Sequence, residues 1–544
     1  MEVPVAPGGV GIYQATVNSY PENLLYDPLF TLNNTGASGA PIPWLAASYA
    51  VNPNAQVWTI NLRQGVTFSD GTQFNASTVK TDIENVIFAN TNLANFSPVI
   101  PYINGSEAYL KSNHTSADRS QLASTDGITV LSQYALQISL TAPKADLLTY
   151  FTGILDTYTD VSPTGIQANG GITNSVGSTY LISHSIGSGP YILSNYDPAT
   201  GNLVFTANPH WWAISAMGVK QPFEEVTMNV VSSVSSQELD LRTGVANIIQ
   251  MPLTNVFDFA NRTLWVSSQK LSSDVSGVSV YGPFISPQFY VLALNYQIHN
   301  LDGTLAKIQP FQNQHLVAAI NEAWNASQFI QLDLNGFGVA NPGVMEQGQI
   351  GYQNFQRPYV YNLTEAKLNI QAACQSLGCS PSNPLQILFI GGNDQTSELA
   401  GSLLTSNVNS LGAGVVLNFQ PLSSSGKITD VLARTEGIEI YSQVANPPDP
   451  LYQFSNFGVG LIASLFGFND SSITSLIHQA SQTGNLTQRI PIYQQIDMAF
   501  AQVGSWPQIA QFDAVYATSA NVRILPFNPN LVNYFPPILA FQPA

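Results

Sequence analysis

Apolar and polar residues alternate through much of the first half of the chain, which is the pattern of β-strands with one buried face. In residues 57–68, VWTINLRQGVTF, the Trp, Ile and Leu side chains fall on one face, and an Asp-Gly turn follows at 70–71. Residues 135–143 and 202–209 alternate in the same way. We therefore predict a strand in each of these three segments.

Helical segments lie between and after the predicted strands. The segment SSQELDLRTG has a capping box from Ser235 to Glu238 and ends at Gly244, and Asn362 is the predicted cap of NLTEAKLNIQAAC. Two further helices are predicted at residues 472–483 and 485–503. Strands and helices mixed throughout, without a long internal repeat, indicate an α/β fold with some α+β character.

The length and the composition of the chain narrow its class. A chain of 544 residues is too long for one hydrophobic core, so two or three domains are expected. Only 9% of the residues are charged, against about 25% in an average domain, and Ser, Thr, Asn and Gln take their place. A neutral polar surface is insensitive to acid, so one hypothesis is a protein that works outside the cell in an acidic medium. The alternative is drift toward uncharged polar residues in a secreted protein.

The charge balance argues against two classes of partner. A formal net charge of −17, with 16 scattered basic residues, argues against nucleic acid and disfavours an anionic membrane surface.

No apolar run reaches the roughly 18 residues of a membrane span, and the N-terminus lacks the pattern of a signal peptide. We therefore expect a mature or trimmed chain, or a cytosolic one. Ten N-x-Ser/Thr sequons permit glycosylation but are close to the chance level here.

The two cysteines, Cys374 and Cys379, lie five residues apart in AACQSLGCSPS. They are too few for a structural zinc site, and they suit a short disulfide that closes a helix-end loop in an oxidising compartment. Two unpaired buried thiols are the alternative.

Common catalytic motifs are missing from the sequence. None of the six histidines forms an HExxH pair, and neither a G-x-S-x-G elbow nor a nucleotide-binding P-loop occurs. We therefore predict no catalytic residue, no metal and no cofactor. Paired carboxylates of a glycoside hydrolase stay open, because such residues come together only in the fold.

Six segments, in order along the chain, carry patterns of one protein family. Residues 41–84 contain LRQGVTF, DGTQF and TVK, and residues 187–212 contain GSGPY and NPHWW. The other four segments are 234–248, 310–330, 446–458 and 489–512. Together they resemble the extracellular solute-binding proteins of peptide-type ABC importers, the bacterial family 5. Two departures are Asn247, where the family usually has Asp, and the absence of an Arg from 310–330.

The resemblance implies a two-lobed α/β fold of the periplasmic-binding-protein class II type, with an extra small domain in the first lobe. Expected boundaries are 1–50, 187–274 and 506–544 for the first lobe, 51–186 for the extra domain, and 275–505 for the second lobe. The implied protein is an extracellular monomer without enzymatic activity. It would enclose a small solute between the lobes and deliver it to the membrane permease of an ABC importer. A secreted hydrolase of glycans or peptides and a structural cell-surface protein are the alternatives.

The resemblance also suggests where the ligand binds. In peptide-binding relatives, an Asp four residues before the Pro of a D-P step binds the peptide ammonium, and here that position is Asn446. The stacking aromatic residue often found three residues earlier is Gln443. Neutral amides suit sugar hydroxyls, so an oligosaccharide is predicted over an oligopeptide. Asp449 is a further candidate if the alignment slips, although an Asp between two prolines is commonly a turn residue.

Four more residues are candidate ligand contacts. Tyr20 and Tyr26 lie where family members line the cleft, with ordinary loop packing as the alternative. Gln250 follows a strand that crosses toward the hinge. Trp324 is the tryptophan proposed to stack on a sugar, with core packing as the alternative.

Overall fold

A computed structural model describes residues 1–3, 19–32, 40–89, 99–152, 160–173, 178–443, 449–527 and 537–544. Its first seven strands are β1 (Glu2–Val3), β2 (Phe30–Leu32), β3 (Pro41–Pro43), β4 (Ala46–Val51), β5 (Val57–Leu62), β6 (Ile128–Ser132) and β7 (Ala135–Ser139). The next six are β8 (Tyr191–Tyr196), β9 (Leu203–Ala207), β10 (Glu225–Val230), β11 (Ile248–Met251), β12 (Val278–Leu294) and β13 (Gly338–Val339). The last six are β14 (Leu385–Gly392), β15 (Val415–Leu422), β16 (Ile438–Gln443), β17 (Gln508–Ser519), β18 (Val522–Ile524) and β19 (Phe541–Pro543).

Eleven of these strands form one mixed sheet. Its order is β15-β14-β16-β12-β17-β11-β1-β10-β9-β8, and β13 pairs with β17 beside this path. Strands β8 to β11 with β1 belong to one lobe, which we call the first lobe, and β14 to β16 belong to the second lobe. The long strands β12 and β17 run antiparallel to each other between the two lobes, and we call them the crossing strands.

A separate antiparallel sheet of four strands, β4-β5-β7-β6, is built from residues 46–139. Its inward-facing residues, such as Trp58 and Leu136, share one continuous hydrophobic core with Leu203 and Tyr516 of the first lobe. The strands predicted from the alternating pattern at 57–68, 135–143 and 202–209 are present as β5, β7 and β9. The domain boundaries given above remain a prediction.

Helices cover both faces of the large sheet. Up to residue 268 they are α1 (Ser19–Leu25), α2 (Ala76–Ala89), α3 (Ser106–Leu110), α4 (Ser116–Ala123), α5 (Pro163–Ala168), α6 (Trp212–Met217), α7 (Val234–Thr243) and α8 (Arg262–Ser268). The next five are α9 (Gln314–Ala323), α10 (Ala326–Leu332), α11 (Leu363–Leu377), α12 (Gln395–Ser410) and α13 (Ser424–Ala433). The last four are α14 (Leu451–Gly458), α15 (Leu461–Leu465), α16 (Ser471–Ser481) and α17 (Leu486–Val503).

The four predicted helices are present, with ends that differ from the prediction by up to three residues and with one correction to a cap. Helix α11 begins after the cap Asn362, whose side chain accepts the Thr364 and Glu365 N–H groups, and α7 ends at Gly244. The capping box from Ser235 to Glu238 is wrong, because Ser233 caps α7 by accepting the N–H of Ser236. The earlier serine offers the same acceptor and lets the helix begin two residues sooner.

Several sequons double as helix-capping motifs. The asparagine side chain accepts a backbone N–H in the first turn of a helix at five of them: Asn75, Asn261, Asn325, Asn362 and Asn485. Asn is among the preferred residues at this position, and Ser or Thr is also common near helix starts. Helix capping therefore accounts for these sequons without any glycan.

The predicted disulfide is present between Cys374 and Cys379. Helix α11 ends at Leu377, and Gly378 takes the left-handed conformation at φ 73°. This turn carries the chain back over the end of the helix, so that Cys379 meets the sulfur of Cys374.

Three of the tryptophans in the family-like segments meet at one buried carboxylate. The indole Nε1 groups of Trp44, Trp211 and Trp212 donate to Asp27 over 2.7, 2.9 and 2.6 Å. Burial raises the pKa of Asp27 to about 6, and the three indole hydrogen bonds act against that rise. Nearby, Gly189 donates its N–H to the Leu25 carbonyl over 3.0 Å, an approach that leaves no room for a Cβ atom. These contacts join α1 to the segments around residues 44 and 187–212.

Candidate ligand-binding cleft at the crossing strands

The middle of the crossing strand β12 is less deeply packed than its C-terminal end. Residues from Ser279 to Gln288 are partly or fully exposed, whereas Leu292, Ala293 and Leu294 are buried in the second lobe. The pairing of β12 with β17 shifts register between Tyr281 and Phe284 and again between Ile285 and Phe289. Such irregularities bend and twist a strand. This partly exposed stretch of β12, paired with β17, lies between strands of the first lobe and strands of the second lobe in the large sheet.

Asp513 lies where β17 passes from one lobe to the other. Val515 of β17 pairs with Met251 of the first lobe, whereas Phe512 pairs with Gly338 on the side of the second lobe. Every other residue of β17 is buried, and Asp513 alone retains a partly exposed side chain. A carboxylate thus lies at the point where the two lobes meet.

Among the residues that the structure describes, the Asp513 carboxylate has no partner for its charge. Within the described ranges, neither a cation nor a hydrogen-bond donor pairs with it, although its backbone N–H donates to the Phe337 carbonyl over 3.2 Å. Burial alone raises the pKa of Asp513 to about 7. A desolvated carboxylate without a partner is costly, so a cationic group brought beside it would be strongly favoured.

Neutral amides surround the crossing on the side of the second lobe. The Gln511 side chain donates to the carbonyls of Ser286 and Gln347 over 2.9 and 3.1 Å. Its Oε1 accepts from Asn341 Nδ2 over 2.7 Å and from the Gln347 N–H over 2.8 Å. This network uses all the hydrogen-bonding capacity of one amide, and it fixes the loop at 341–347 against both crossing strands.

Asp449 lies in a buried ion pair. Its side chain, 2% exposed, accepts from Arg489 Nη2 over 3.0 Å, from the Tyr493 hydroxyl over 2.5 Å and from the Leu451 N–H over 3.1 Å. The carboxylate therefore holds α14 and α17 together. Gln443 is the last residue of β16 and pairs with Phe289 of β12, and Asn446 lies outside the described residues.

The remaining candidates fall into different surroundings. Gln250 is partly exposed and pairs with Tyr516 of the crossing strand β17. Tyr26 is 1% exposed and lies in the hydrophobic core of the first lobe, and Trp324 is 4% exposed and lies in that of the second lobe. Both side chains therefore pack in a core, which was the alternative to a ligand contact. Tyr20 belongs to α1, and its side chain is not among those described.

Asp513 was missed by sequence reasoning, and little in the sequence marks it. It is one polar residue in the strand-like run QFDAVYAT, where an alternating pattern predicts an ordinary exposed position. Only the pairing partners on either side reveal that it lies between the lobes.

The described residues contain neither a cluster of metal ligands nor a helix suited to the membrane. In the described ranges, no group of three or more His, Cys, Asp or Glu side chains is placed to hold a metal ion. Among the helices that the structure describes, none combines the length and apolar character needed to cross a membrane.

Comparison with known proteins gives consistent matches. The family model described as bacterial extracellular solute-binding proteins, family 5 Middle, matches residues 40–461. The probable D,D-dipeptide-binding periplasmic protein DdpA of Escherichia coli K12 is 22% identical over 90% of this chain and 83% of its own length. Di/tripeptide-binding protein 2 of Pseudomonas aeruginosa is 21% identical over 90% of this chain and 85% of its own.

Solved structures match over the whole chain. The unliganded open form of the periplasmic murein tripeptide-binding protein MppA has a TM-score of 0.73 at 16% identity, covering 100% of this chain and 96% of its own. NikA from Brucella suis, in complex with Fe(III)-EDTA, has a TM-score of 0.73 at 17% identity and covers 100% of both chains. These likenesses confirm the two-lobed α/β fold of periplasmic binding proteins. The chain belongs to the bacterial extracellular solute-binding proteins of family 5, the non-enzymatic substrate-binding components of ABC transporters.

Proposed function

We propose that this protein captures a short peptide, or a peptide-like solute with an ammonium group, in the cleft over the crossing strands. It works outside the cytoplasm as a monomer and passes the solute to the membrane permease of an ABC importer. The observation that carries the choice of ligand is the Asp513 carboxylate, which lies between the lobes without a cation or a hydrogen-bond donor within the described part of the chain.

A ligand ammonium group would supply the missing partner. A charge-assisted hydrogen bond in a desolvated cleft is roughly twice as strong as a neutral one, and it removes the penalty of a lone buried charge. The relatives above are named for dipeptides and for di- and tripeptides, which carry such a group. The preference for an oligosaccharide rested on Asn446 and Gln443, and a carboxylate at the crossing favours a cationic solute instead.

Capture would proceed by a shift between open and closed arrangements of the lobes. A solute that touches both lobes only when they are closed stabilises the closed state by its differential contacts. Gln250 on β11 and Gln443 at the end of β16 approach the crossing strands from opposite lobes, so we propose them as further contacts, together with Asn446. The permease would bind the closed form.

Replacing Asp513 by asparagine is expected to weaken the binding of di- to pentapeptides by about 2 kcal/mol or more, roughly 30-fold in Kd. Because an ammonium group binds the ionised carboxylate, binding near pH 7 should also release protons. Titration calorimetry in two buffers of different ionisation enthalpy measures both effects. The wild type should release protons on binding, and the D513N variant should not.

Two controls make this result specific. Asp302→Asn removes a carboxylate from an exposed turn that belongs to neither crossing strand, and it should leave peptide affinity unchanged. N-acetylated peptides lack the ammonium group and should bind the wild type as weakly as the free peptides bind D513N. Equal affinity of wild type and D513N for free peptides would refute the proposal.

A further inference from the structure

The N-x-Ser/Thr sequons of this chain differ in which of their side chains the fold leaves free. Eight of the ten lie among the described residues, and those at Asn33 and Asn95 do not. We propose that the sequon Asn469-Asp470-Ser471 is a site of N-linked glycosylation, at which Asn469 receives an oligosaccharide from a lipid-diphosphate donor. This modification requires only that the protein works outside the cytoplasm, and it does not depend on which solute the cleft binds.

Asn469 lies in the short connection between α15 and α16, and its side chain is exposed. Both of its neighbours in the chain are fixed. Phe468 is buried in a hydrophobic core of the second lobe, and the Asp470 side chain caps α16 by accepting two backbone N–H groups over 2.9 and 3.0 Å. The fold therefore presents the Asn469 amide to solvent from a connection that is held at both ends.

Neither reacting group of this sequon is engaged by the protein. Among the described residues, the Asn469 amide has no hydrogen-bond partner, and the hydroxyl of the exposed Ser471 has none either. A transfer enzyme recognises the hydroxyl and uses the amide nitrogen as the nucleophile, and surface loops are where such sequons can be reached. Both groups can therefore enter an enzyme without breaking a contact of the fold.

The chemistry of the transfer explains why a free amide matters. Asn469 Nδ2 attacks the anomeric carbon of the donor sugar, and a C–N bond forms as the bond from that carbon to the diphosphate oxygen breaks. The lipid diphosphate leaves with the electron pair, and the nitrogen loses one proton to a base of the enzyme. An amide nitrogen is a poor nucleophile because its lone pair is delocalised into the carbonyl. The side chain must therefore be able to turn and twist in the enzyme.

The five sequons that cap helices lack this freedom. In each, the asparagine Oδ1 accepts a backbone N–H in the first turn of a helix, and the Ser or Thr of the sequon belongs to that turn: Asn75, Asn261, Asn325, Asn362 and Asn485. A hydrogen bond to Oδ1 draws the nitrogen lone pair further into the carbonyl. Binding to a transfer enzyme would also cost the helix its cap.

The other two described sequons are each closed by a different contact. The Nδ2 of Asn104 donates to a neighbouring carboxylate, and the serine of its sequon is fully buried. In the sequon of Asn113, the Thr115 hydroxyl donates to Asp118 Oδ2 over 2.9 Å and accepts the Asp118 N–H over 3.2 Å, in the capping box of α4. Among the described residues, the sequon at Asn469 is thus the one in which both groups are open.

Peptide mapping by tandem mass spectrometry tests the proposal on the full chain purified from the cells that produce it. The peptide with Asn469 should carry added hexose or N-acetylhexosamine residues in most molecules. The peptides with the five capping sequons, and those with Asn104 and Asn113, should be largely unmodified. An unmodified Asn469 would overturn the proposal, and so would equal occupancy of the capping sequons.

Two serine variants made in the same cells separate the sequon from its surroundings. Ser471→Ala keeps the asparagine and removes the hydroxyl of the sequon, so the glycan at Asn469 should be lost. Ser472→Ala is the matched control, because it removes the next hydroxyl along the helix and should leave the glycan in place. A glycan that stays on Asn469 in S471A would contradict the assignment. Peptide binding should be the same for both variants, so the test is independent of the cleft.

Asparagine variants of the unglycosylated protein test the structural contrast. Asn469→Gln should leave the Tm unchanged, since the side chain makes no hydrogen bond among the described residues. Asn362→Ala should lower the Tm, because α11 loses its cap. A Tm that falls as far in N469Q as in N362A would show that the fold engages Asn469 and would overturn the contrast.

Discussion

Replacing Asp449 by alanine is expected to lower the free energy of unfolding by about 3–5 kcal/mol, because it leaves the buried Arg489 guanidinium without its counter-charge. Arg489 is 5% exposed, and its 3.0 Å contact with Asp449 is the only ion pair that it makes among the described residues. The Tyr493 hydroxyl loses its acceptor at the same time. Urea unfolding followed by tryptophan fluorescence measures the change.

The control for this prediction is Glu107→Ala, which breaks an exposed ion pair with Lys111. Surface pairs contribute little, so the Tm of that variant should stay close to that of the wild type. A variant that removes both members, Asp449→Leu with Arg489→Met, should recover part of the loss, since no unpaired charge remains. A D449A protein as stable as the wild type would show that the ion pair does not hold α14 against α17.

The protein is expected to become more stable as the pH is lowered from 8 toward 5. Burial raises the pKa of several carboxyl groups, to about 8 for Glu436 and to about 7 for Glu439, Asp497 and Asp513. The corresponding groups in an unfolded chain titrate near pH 4. Between pH 4 and pH 8 the folded state therefore holds protons that the unfolded state has lost.

The sign of the effect follows from proton linkage. Where the folded state binds more protons than the unfolded state, stability falls as the pH rises, by up to about 1.4 kcal/mol per pH unit for each group. Exposed carboxylates with a lowered pKa, such as Asp197 and Asp302, make the stability rise with pH instead, but they do so only below roughly pH 4. Maximum stability is thus expected at mildly acidic pH, as the hypothesis of an acidic medium requires.

Asp497→Asn gives the sharpest test of this explanation. The Oδ1 atom of Asp497 accepts the N–H groups of Val344 and Met345 over 2.7 and 2.8 Å, and within the described ranges its Oδ2 has no partner. Asparagine keeps the acceptor and removes the charge, so D497N should be more stable than the wild type at pH 8 and similar to it at pH 5. Thermal unfolding from pH 4 to pH 8 measures this, with Asp302→Asn as the control. Stability of the wild type that rises steadily with pH would contradict the prediction.

Local patterns predicted much of the fold. Alternation predicted β5, β7 and β9, Asn362 predicted the start of α11, and the spacing of two cysteines predicted their disulfide. These features depend on residues that are neighbours in sequence. The family-like segments added the two-lobed architecture, and the contacts of Asp27 with three tryptophans give a physical reason for part of that pattern.

Features that depend on distant residues could not be predicted in this way. Asp449 looked like a turn residue or a ligand contact, because its partner Arg489 follows forty residues later. Asp513 looked like an ordinary strand position, since its significance comes from strands β11 and β13 on either side. In each case the tertiary fold creates the site.

Small-angle X-ray scattering, with and without the peptide that binds most tightly in calorimetry, tests the central claim most directly. The two lobes should close around the guest, so the radius of gyration should fall on saturation, and mass spectrometry should recover the peptide intact. An unchanged radius of gyration at saturation, or a cleaved peptide, would contradict the account of a hinged protein that captures and releases its solute.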